Sequence, residues 1–263
     1  MATTFDSKLN NFSSITLTEL NASASFLKRI DRKFLLTGKQ FSEVLEELKE
    51  NFQVLQIVDK KVFSYDNVYM DTDDYFFYNQ HENKQKARTK VRTRLYKDSD
   101  LAFFEYKQKE NGITSKYRYE FPSDEHGKMT KGKKRFFEGV WQSMYDSTVK
   151  VPKIFPAIKT RYKRITLVDR LGGERLTIDF DIRTLDLRDE DASETNLKNL
   201  VIIESKSLET NCKSLEIMEK HGFKQAKSCS KYSLGVVYSG LAKKYNTFKD
   251  TMKEIENIKN EMK

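Results

Sequence analysis

The stretch KVRTRLYKDSDLAFFEYKQKENGITSKYRYEF, residues 90–121, sets the architecture of this chain. Successive side chains on a strand alternate faces, so residues two apart share one. Lys90, Arg92 and Arg94 fall on one face and Val91 and Leu95 on the other. Glu105, Lys107 and Lys109 likewise oppose Phe104 and Tyr106, and Lys116, Arg118 and Glu120 oppose Tyr117, Tyr119 and Phe121. The breaks between the runs, Lys97–Asp100 and Asn111–Gly112, are turn signals. The stretch reads as three consecutive antiparallel strands, each with a charged and an apolar face.

The parity returns further along. ERLTIDFDIR, residues 174–183, puts Arg175, Thr177, Asp179, Asp181 and Arg183 opposite Leu176, Ile178, Phe180 and Ile182, after a turn at Gly172–Gly173. VIIESK, residues 201–206, aligns Ile202, Glu204 and Lys206, and TRYKRITL, residues 160–167, adds Arg164. Together these faces carry eleven basic residues against five acids, Glu105, Glu120, Asp179, Asp181 and Glu204. Helical spacing appears at Phe41, Val44, Leu45, Leu48 and Phe52, predicting a helix over about Gln40–Asn51. A second helix is expected near 135–148, with Phe137, Val140, Trp141 and Met144 inward, and an amphipathic terminal helix at Tyr245, Phe248, Met252, Ile255 and Met262.

Composition fits a folded, anion-attracting protein. Of 263 residues 38% are hydrophobic, 18 Phe and 13 Tyr supply large apolar surfaces, and 48 Lys and Arg against 39 Asp and Glu leave a net charge of +9. The start, MATTFDSK, has no signal-peptide pattern and no apolar run is long enough to span a bilayer, so a soluble, cytoplasmic location is expected. Cys212 and Cys229 have no metal-ligand spacing and predict ordinary thiols. The organisation expected is a loosely held leader over 1–29, one main domain over 30–240 and a terminal helix over 241–263.

A plain antiparallel sheet with a solvated, ion-paired face would accommodate each strand alone. The recurrence of cations on nearly every strand points instead to closure, with the charged faces inside a barrel and helices over the apolar ones. Unpaired cations cannot form a dry core, so such an interior holds water and an anion. A polyphosphate suits it, because its oxygens accept paired hydrogen bonds from Arg while Lys supplies mobile charge. Carboxylates among the cations then hold Mg²⁺ or Mn²⁺ against the phosphates, Glu204 first among them.

In chain order these residues resemble the VTC domain of the triphosphate tunnel metalloenzyme superfamily, over roughly Ile30 to Gly240. RKFLL resembles the opening strand with its substrate lysine, here Lys33; YMDTDDYFFYNQH resembles the Tyr-x-Asp-Thr segment; KVRTR resembles the basic strand. FFEYKQK and SKYR follow with Lys107, Lys116 and Arg118, TRYKR with Tyr162 and Arg164, and RLTID with Arg175 and Asp179. VIIESK supplies Glu204 as the metal-binding glutamate, and SKYSLG supplies Ser230 and Lys231 on the last strand.

The resemblance implies an α+β fold: a closed antiparallel eight-stranded β-barrel, a tunnel with a charged interior and flanking helices. It implies a polyphosphate polymerase that passes the γ-phosphoryl group of a nucleoside triphosphate such as ATP to phosphate or a growing polyphosphate chain, with Mn²⁺ or Mg²⁺. Lys107, Arg92, Arg94 and Arg164 would clamp phosphates and Glu204 the metal. Lys33, Lys90, Lys109, Lys116, Arg118, Tyr162, Arg175, Ser230 and Lys231 would bind substrate. Tyr162 reads equally as a packed tyrosine. Nucleic acid is not an expected partner, and the oligomeric state is open. The opening strand has Ile30, Asp31, Arg32 and Lys33 where cyclase and thiamine-triphosphatase relatives carry Glu-x-Glu-x-Lys, which disfavours that branch. With no membrane segment or regulatory domain evident, any polymer is expected to stay inside or to leave through a membrane-associated partner. The alternatives are a metal-dependent tripolyphosphatase or nucleoside triphosphatase, and a non-catalytic polyphosphate-binding module.

Other signals are weaker. Gly127–Lys133 resembles a P-loop but lacks the Ser or Thr for magnesium, and Asp71, Asp73, Asp74 and Glu82 resemble a calcium loop but place Phe76 where glycine is needed. His81, His126 and His221 are too far apart to announce a zinc site. His81 reads as a structural histidine or a substrate contact.

Overall fold

The computed structural model describes residues 2–23 and 30–261. In chain order the elements are α1 (Ala2–Leu9), β1 (Ser14–Ile15), α2 (Leu17–Ser23), β2 (Ile30–Thr37), α3 (Gly38–Asn51), β3 (Phe52–Leu55), β4 (Phe63–Asp71), α4 (Phe76–Glu82), β5 (Arg88–Tyr96), β6 (Leu101–Glu110) and β7 (Ile113–Phe121). There follow α5 (Lys131–Met144), β8 (Phe155–Asp169), β9 (Glu174–Asp186), β10 (Thr195–Leu197), β11 (Leu200–Ser207), α6 (Lys213–Lys220), α7 (Lys231–Tyr238) and α8 (Lys249–Asn260).

One large sheet runs in the order β2-β11-β9-β8-β4-β5-β6-β7, antiparallel throughout, with the short β3 and β10 attached to β8 and β9 and β1 parallel to β3. The β6–β7 hairpin turns at Asn111 (φ 48) and Gly112 (φ 85), the left-handed pair that a tight hairpin requires. Lys107 lies opposite both Lys90 on β5 and Lys116 on β7, so like charges meet across the ladder. Eight strands form the main path, but it is not closed into a barrel: among the described residues β2 and β7 are its two edges, with no pairing between them. The outer edge of β2 is occupied instead, because the Ala226 amide donates to the Lys33 carbonyl at 2.8 Å.

Helices cover the convex, apolar face. Thr37 and Gln40 cap α3 reciprocally, at 3.2 and 2.8 Å, and Phe41, Val44, Leu45 and Leu48 face Leu176, Ile178, Phe180, Val201 and Ile203. α5 packs Phe137, Val140 and Trp141 on Val91, Phe104 and Tyr106. It runs over Lys131–Met144 rather than 135–148, ending where the Asp146 carboxylate accepts the Thr148 amide in a turn. The leader is not loose where it is described: Phe5, Leu9 and Phe12 are buried in the α3 core. Residues 1 and 24–29 of that segment, and Met262 of the terminal helix, lie outside the described residues.

The concave face departs from the expected pattern in two places. Ser230 and Lys231 are not on a strand, since Ser230 caps α7 and Lys231 opens it. α7 packs Leu234 with α8 residues Ile255 and Ile258 against Leu35, Tyr162 and Ile202, so the inner face turns from charged to apolar along the strands and is plugged at that end. The expected parity of β9 also breaks. Asp181 adopts a left-handed backbone (φ 50) within a bulge against β8, and beyond it Ile182 joins the inner apolar cluster. Asp181 and Arg183 therefore leave the charged face and pair with each other, with Arg183 also reaching Glu194.

Candidate functional site

The charged end of the concave face is a cavity of about 690 Å³ lined by eleven Lys or Arg side chains against two glutamates. Each strand of the main path contributes. β2 supplies Lys33; β5 supplies Lys90, Arg92 and Arg94; β6 supplies Lys107 and Glu105; β7 supplies Lys116 and Arg118. β4 adds Tyr65 and Tyr69, β8 adds Tyr162 and Arg164, β9 adds Arg175, and β11 adds Glu204 and Lys206; Ser230 and Lys231 project from the start of α7. Thus every expected site residue lines this cavity except Lys109. That lysine lines a neighbouring cavity of about 300 Å³ with His81, Arg88 and Lys227, which shares Lys33, Lys90 and Lys107 with the larger one.

The cations are held in graded ways. Arg164 grips Asp179 through Nε at 2.6 Å and Nη2 at 2.8 Å, and Lys231 bonds the same carboxylate. Arg92 donates from Nε to Glu105 at 2.6 Å and from Nη1 to the Tyr69 hydroxyl at 3.2 Å, and Arg94 donates to Asn67 at 3.1 Å. A guanidinium has five N–H donors, so each arginine keeps others for a ligand. Lys33 donates to the Cys229 carbonyl at 2.6 Å and Lys90 to the Ser230 hydroxyl at 2.8 Å. The Lys107 ammonium makes no hydrogen bond or ion pair with any described residue.

Burial acts to raise the carboxyl groups, but Arg92 and Arg94 hold Glu105 at about 2, and Lys33 and Lys206 hold Glu204 well below the ordinary range. Both are anions at any working pH. For the lysines burial and like charge act together: Lys90 is pushed well down by burial with Lys33 and Lys107, and Lys107 to about 8 by burial with Lys116. Cations that destabilise one another in a shielded space favour a bound polyanion.

Asp71 shows what the Tyr-x-Asp-Thr segment does locally. Its fully buried carboxylate accepts the amides of Thr72, Phe77 and Tyr78 at 2.8, 2.9 and 3.0 Å and the Tyr232 hydroxyl. It therefore fixes the start of α4 and ties down α7 one residue from Lys231. The neighbouring acids are spent similarly: Asp74 accepts the Thr72 hydroxyl at 2.6 Å and Glu82 the Thr247 amide at 3.1 Å, so no calcium loop forms. Lys133 is buried, donating to Glu125 at 2.8 and 3.1 Å over the Phe121 ring, which removes the P-loop reading. His126 and His221 pair with Asp66 and Glu47 at 3.1 and 2.6 Å. His81 lines the smaller cavity, contacts the Thr89 carbonyl at 3.3 Å, and is held neutral at about 2 by burial and by Lys90 and Arg88.

No group of three or more His, Cys, Asp or Glu suited to a metal exists among the described residues. Glu105 and Asp179 are committed to arginines, while Glu204 is engaged by Lys206. This donor set fits no all-protein metal cage. It fits a divalent ion anchored by one carboxylate, with phosphate oxygens and water as the remaining ligands, the usual arrangement for Mg²⁺.

Strand parity puts Lys206 on the charged face without naming it a site residue, and singles out none of Tyr65, Tyr69 or Tyr96; all four line the larger cavity. Parity applied to SYDNVYMD, residues 64–71, would have aligned Tyr65, Asn67 and Tyr69. Leu17, Leu20 and Leu55 also line it, and no local pattern announces them.

The sequence profile of the VTC domain family matches residues 28–239. No curated protein sequence matches the chain. Solved structures of similar fold include an adenylate cyclase candidate from Bacillus halodurans, 15% identical with a TM-score of 0.48 over 78% of this chain and 96% of that one. Another is an adenylyl cyclase candidate from Hippeastrum described as having a dominant triphosphatase activity, 14% identical with a TM-score of 0.46 over 83% and 99% of the two chains. Both scores are below 0.5, so family membership rests on the sequence match.

Proposed function

As the chain belongs to the VTC domain family, we propose that it is a polyphosphate polymerase, passing the γ-phosphoryl group of a nucleoside triphosphate to phosphate or to the end of a polyphosphate chain. The observation that carries this reading is the convergence of eleven cationic side chains against two glutamates on one cavity. In the transfer, the bond from the γ-phosphorus to the β–γ bridging oxygen breaks, its electron pair leaves on the nucleoside diphosphate, and an acceptor phosphate oxygen bonds the phosphorus. Such a reaction is accelerated mainly by positioning and by neutralising charge on the transferred group. Arg92, Arg94, Arg164 and Lys107 take that role. Arg164 and Arg92 are preset by Asp179 and Glu105, so they spend little order on meeting the phosphate.

Lys33, Lys90, Lys116, Arg118, Arg175, Ser230 and Lys231 bind the rest of the anion, with Lys109 further out, and Tyr162 orients Arg164 and Lys231, which lie over its ring. Glu204 would anchor a phosphate-bound Mn²⁺ or Mg²⁺, which supplies further neutralisation of phosphate charge. A bound chain bridging Lys33 and Lys206 to Lys116 and Arg118 would complete the enclosure that the ladder leaves open, making the curled sheet a working tunnel. The 30–240 domain is the catalytic unit on this reading. No helix among the described residues is long and apolar enough to cross a membrane. A membrane-associated partner would serve export of the polymer on this reading.

The test is to incubate purified protein with ATP and Mn²⁺ and resolve long polyphosphate, free phosphate and unreacted ATP. Polymer is expected. Phosphate alone would replace the polymerase by a triphosphatase, and binding without turnover would make the protein a polyphosphate-binding module.

A further inference from the structure

The larger cavity is bordered by chemically different groups in different places. Where it meets the smaller cavity, Lys33, Lys90 and Lys107 are shared, with Lys109, Arg88 and Lys227 beyond them. Elsewhere the lining is apolar and aromatic: Leu17 and Leu20 of α2, Leu55 at the end of β3, Tyr65 early in β4 and Tyr96 at the end of β5. α2 is held there by the leader, because β1 pairs with β3 in the register Ser14 to Val54 and Ile15 to Leu55. Leu20 is buried in a cluster with Ile15, Leu55, Phe63 and Val168, whereas Leu17 is 45% exposed.

The phosphate grip begins one ring away. Tyr65 stacks on Tyr162, centroids 5.3 Å apart and planes within 6°, and lies 5.0 Å from Tyr96. The Arg164 and Arg94 guanidinium carbons lie 5.0 and 5.7 Å from the Tyr65 ring centroid. A polyphosphate is anionic from end to end and has no use for leucines and tyrosines. A nucleoside triphosphate has a flat apolar base at one end and its charge at the other, and it matches this sequence of surfaces.

We propose that α2, which lies outside the residues shared with the family profile, completes a nucleobase seat with Leu17 and Leu20 over Leu55, Tyr65 and Tyr96. The base rests there with the triphosphate directed past Tyr65 toward Arg94 and Arg164. The leader is thus the part of this chain that separates nucleotides from base-free polyphosphates. This deepens the nucleotide-dependent reading above and rests on it for the identity of the ligand.

The experiment is calorimetric titration of ATP and of tripolyphosphate, without divalent cations and at fixed ionic strength, into the full chain and into Leu17→Ser and Leu17→Phe. Leu17→Ser is expected to weaken ATP about fivefold while leaving tripolyphosphate within about twofold, and Leu17→Phe to hold or tighten ATP. Equal weakening of both ligands, or unchanged ATP affinity, overturns the proposal, as does a wild-type chain that binds tripolyphosphate but not ATP. Leu17 is exposed, so the fold should tolerate both variants, and unchanged thermal midpoints check this. Polymerase activity is not read in this titration: selective loss of ATP binding with no polymer formed would sink the polymerase reading and leave the base seat standing.

Discussion

Lys107 is the side chain on which phosphate charge should be felt most directly, because among the described residues it has no ion-pair partner to lose. Burial and Lys116 lower it to about 8, so it is charged below that pH and neutral above it. A bound polyanion favours the charged form. Tripolyphosphate affinity should therefore fall as pH rises through about 8, with protons taken up on binding there, and Lys107→Arg should flatten this dependence. Titrations across that range in two buffers of different ionisation enthalpy measure both effects; an unchanged profile in Lys107→Arg would assign the titration elsewhere. Glu204 calls for a different experiment, since Lys33 and Lys206 outweigh burial and keep it anionic. Glu204→Gln keeps the shape and removes the charge. It should lose metal-dependent turnover by about 100-fold or more while anion binding is held or tightened, and normal turnover would show that the metal lies elsewhere. Both residues were legible from strand parity, because each sits on a regular stretch whose opposite face is apolar.

Elements place these side chains, and the inner face depends on two of them beyond the regular strands. Asp179 on β9 is fully buried between Arg164 and Lys231, so Asp179→Ala would strand two shielded cations. A loss of about 3–5 kcal/mol is expected, read as a lower urea midpoint, and tripolyphosphate should recover part of it. Gly235 lets α7 approach the sheet, since a Cβ there would overlap Ile158 and the Thr184 hydroxyl. Gly235→Ala should cost about 1–3 kcal/mol and weaken tripolyphosphate binding by shifting Lys231; unaltered stability and binding would show that α7 can move without consequence. The hairpins and α3 were readable because Asn111–Gly112 and the helical spacing of Phe41, Val44, Leu45 and Leu48 are local signals. The bulge at Asp181 was not, because a left-handed non-glycine residue leaves no mark in a polar and apolar alternation. SKYSLG was expected as a strand, but Ser230 caps a helix whose buried residues Tyr232, Leu234 and Val236 are set by packing on the sheet rather than by their own periodicity.

On the scale of the molecule, the open ladder and the convergent charge belong together. The sequence contains the strands and their faces, but how far a sheet curls depends on bulges, edge partners and what occupies the interior. The Ala226 amide on the edge of β2 is one such partner, 193 residues from Lys33 in sequence and invisible to any local pattern. A cavity with so many cations is also a reservoir of instability that its ligand can relieve. Tripolyphosphate at about 100 times its dissociation constant should stabilise the chain by about 2.7 kcal/mol, a rise in thermal midpoint that shrinks as salt is added. A midpoint indifferent to tripolyphosphate at low salt would contradict an anion site. The most direct measurement is a crystal structure of the chain with tripolyphosphate. Its phosphates are expected within hydrogen-bond distance of Arg92, Arg94, Lys107 and Arg164 on the concave face; phosphates bound only on the outer surface, with that face holding water alone, would contradict an anion site there.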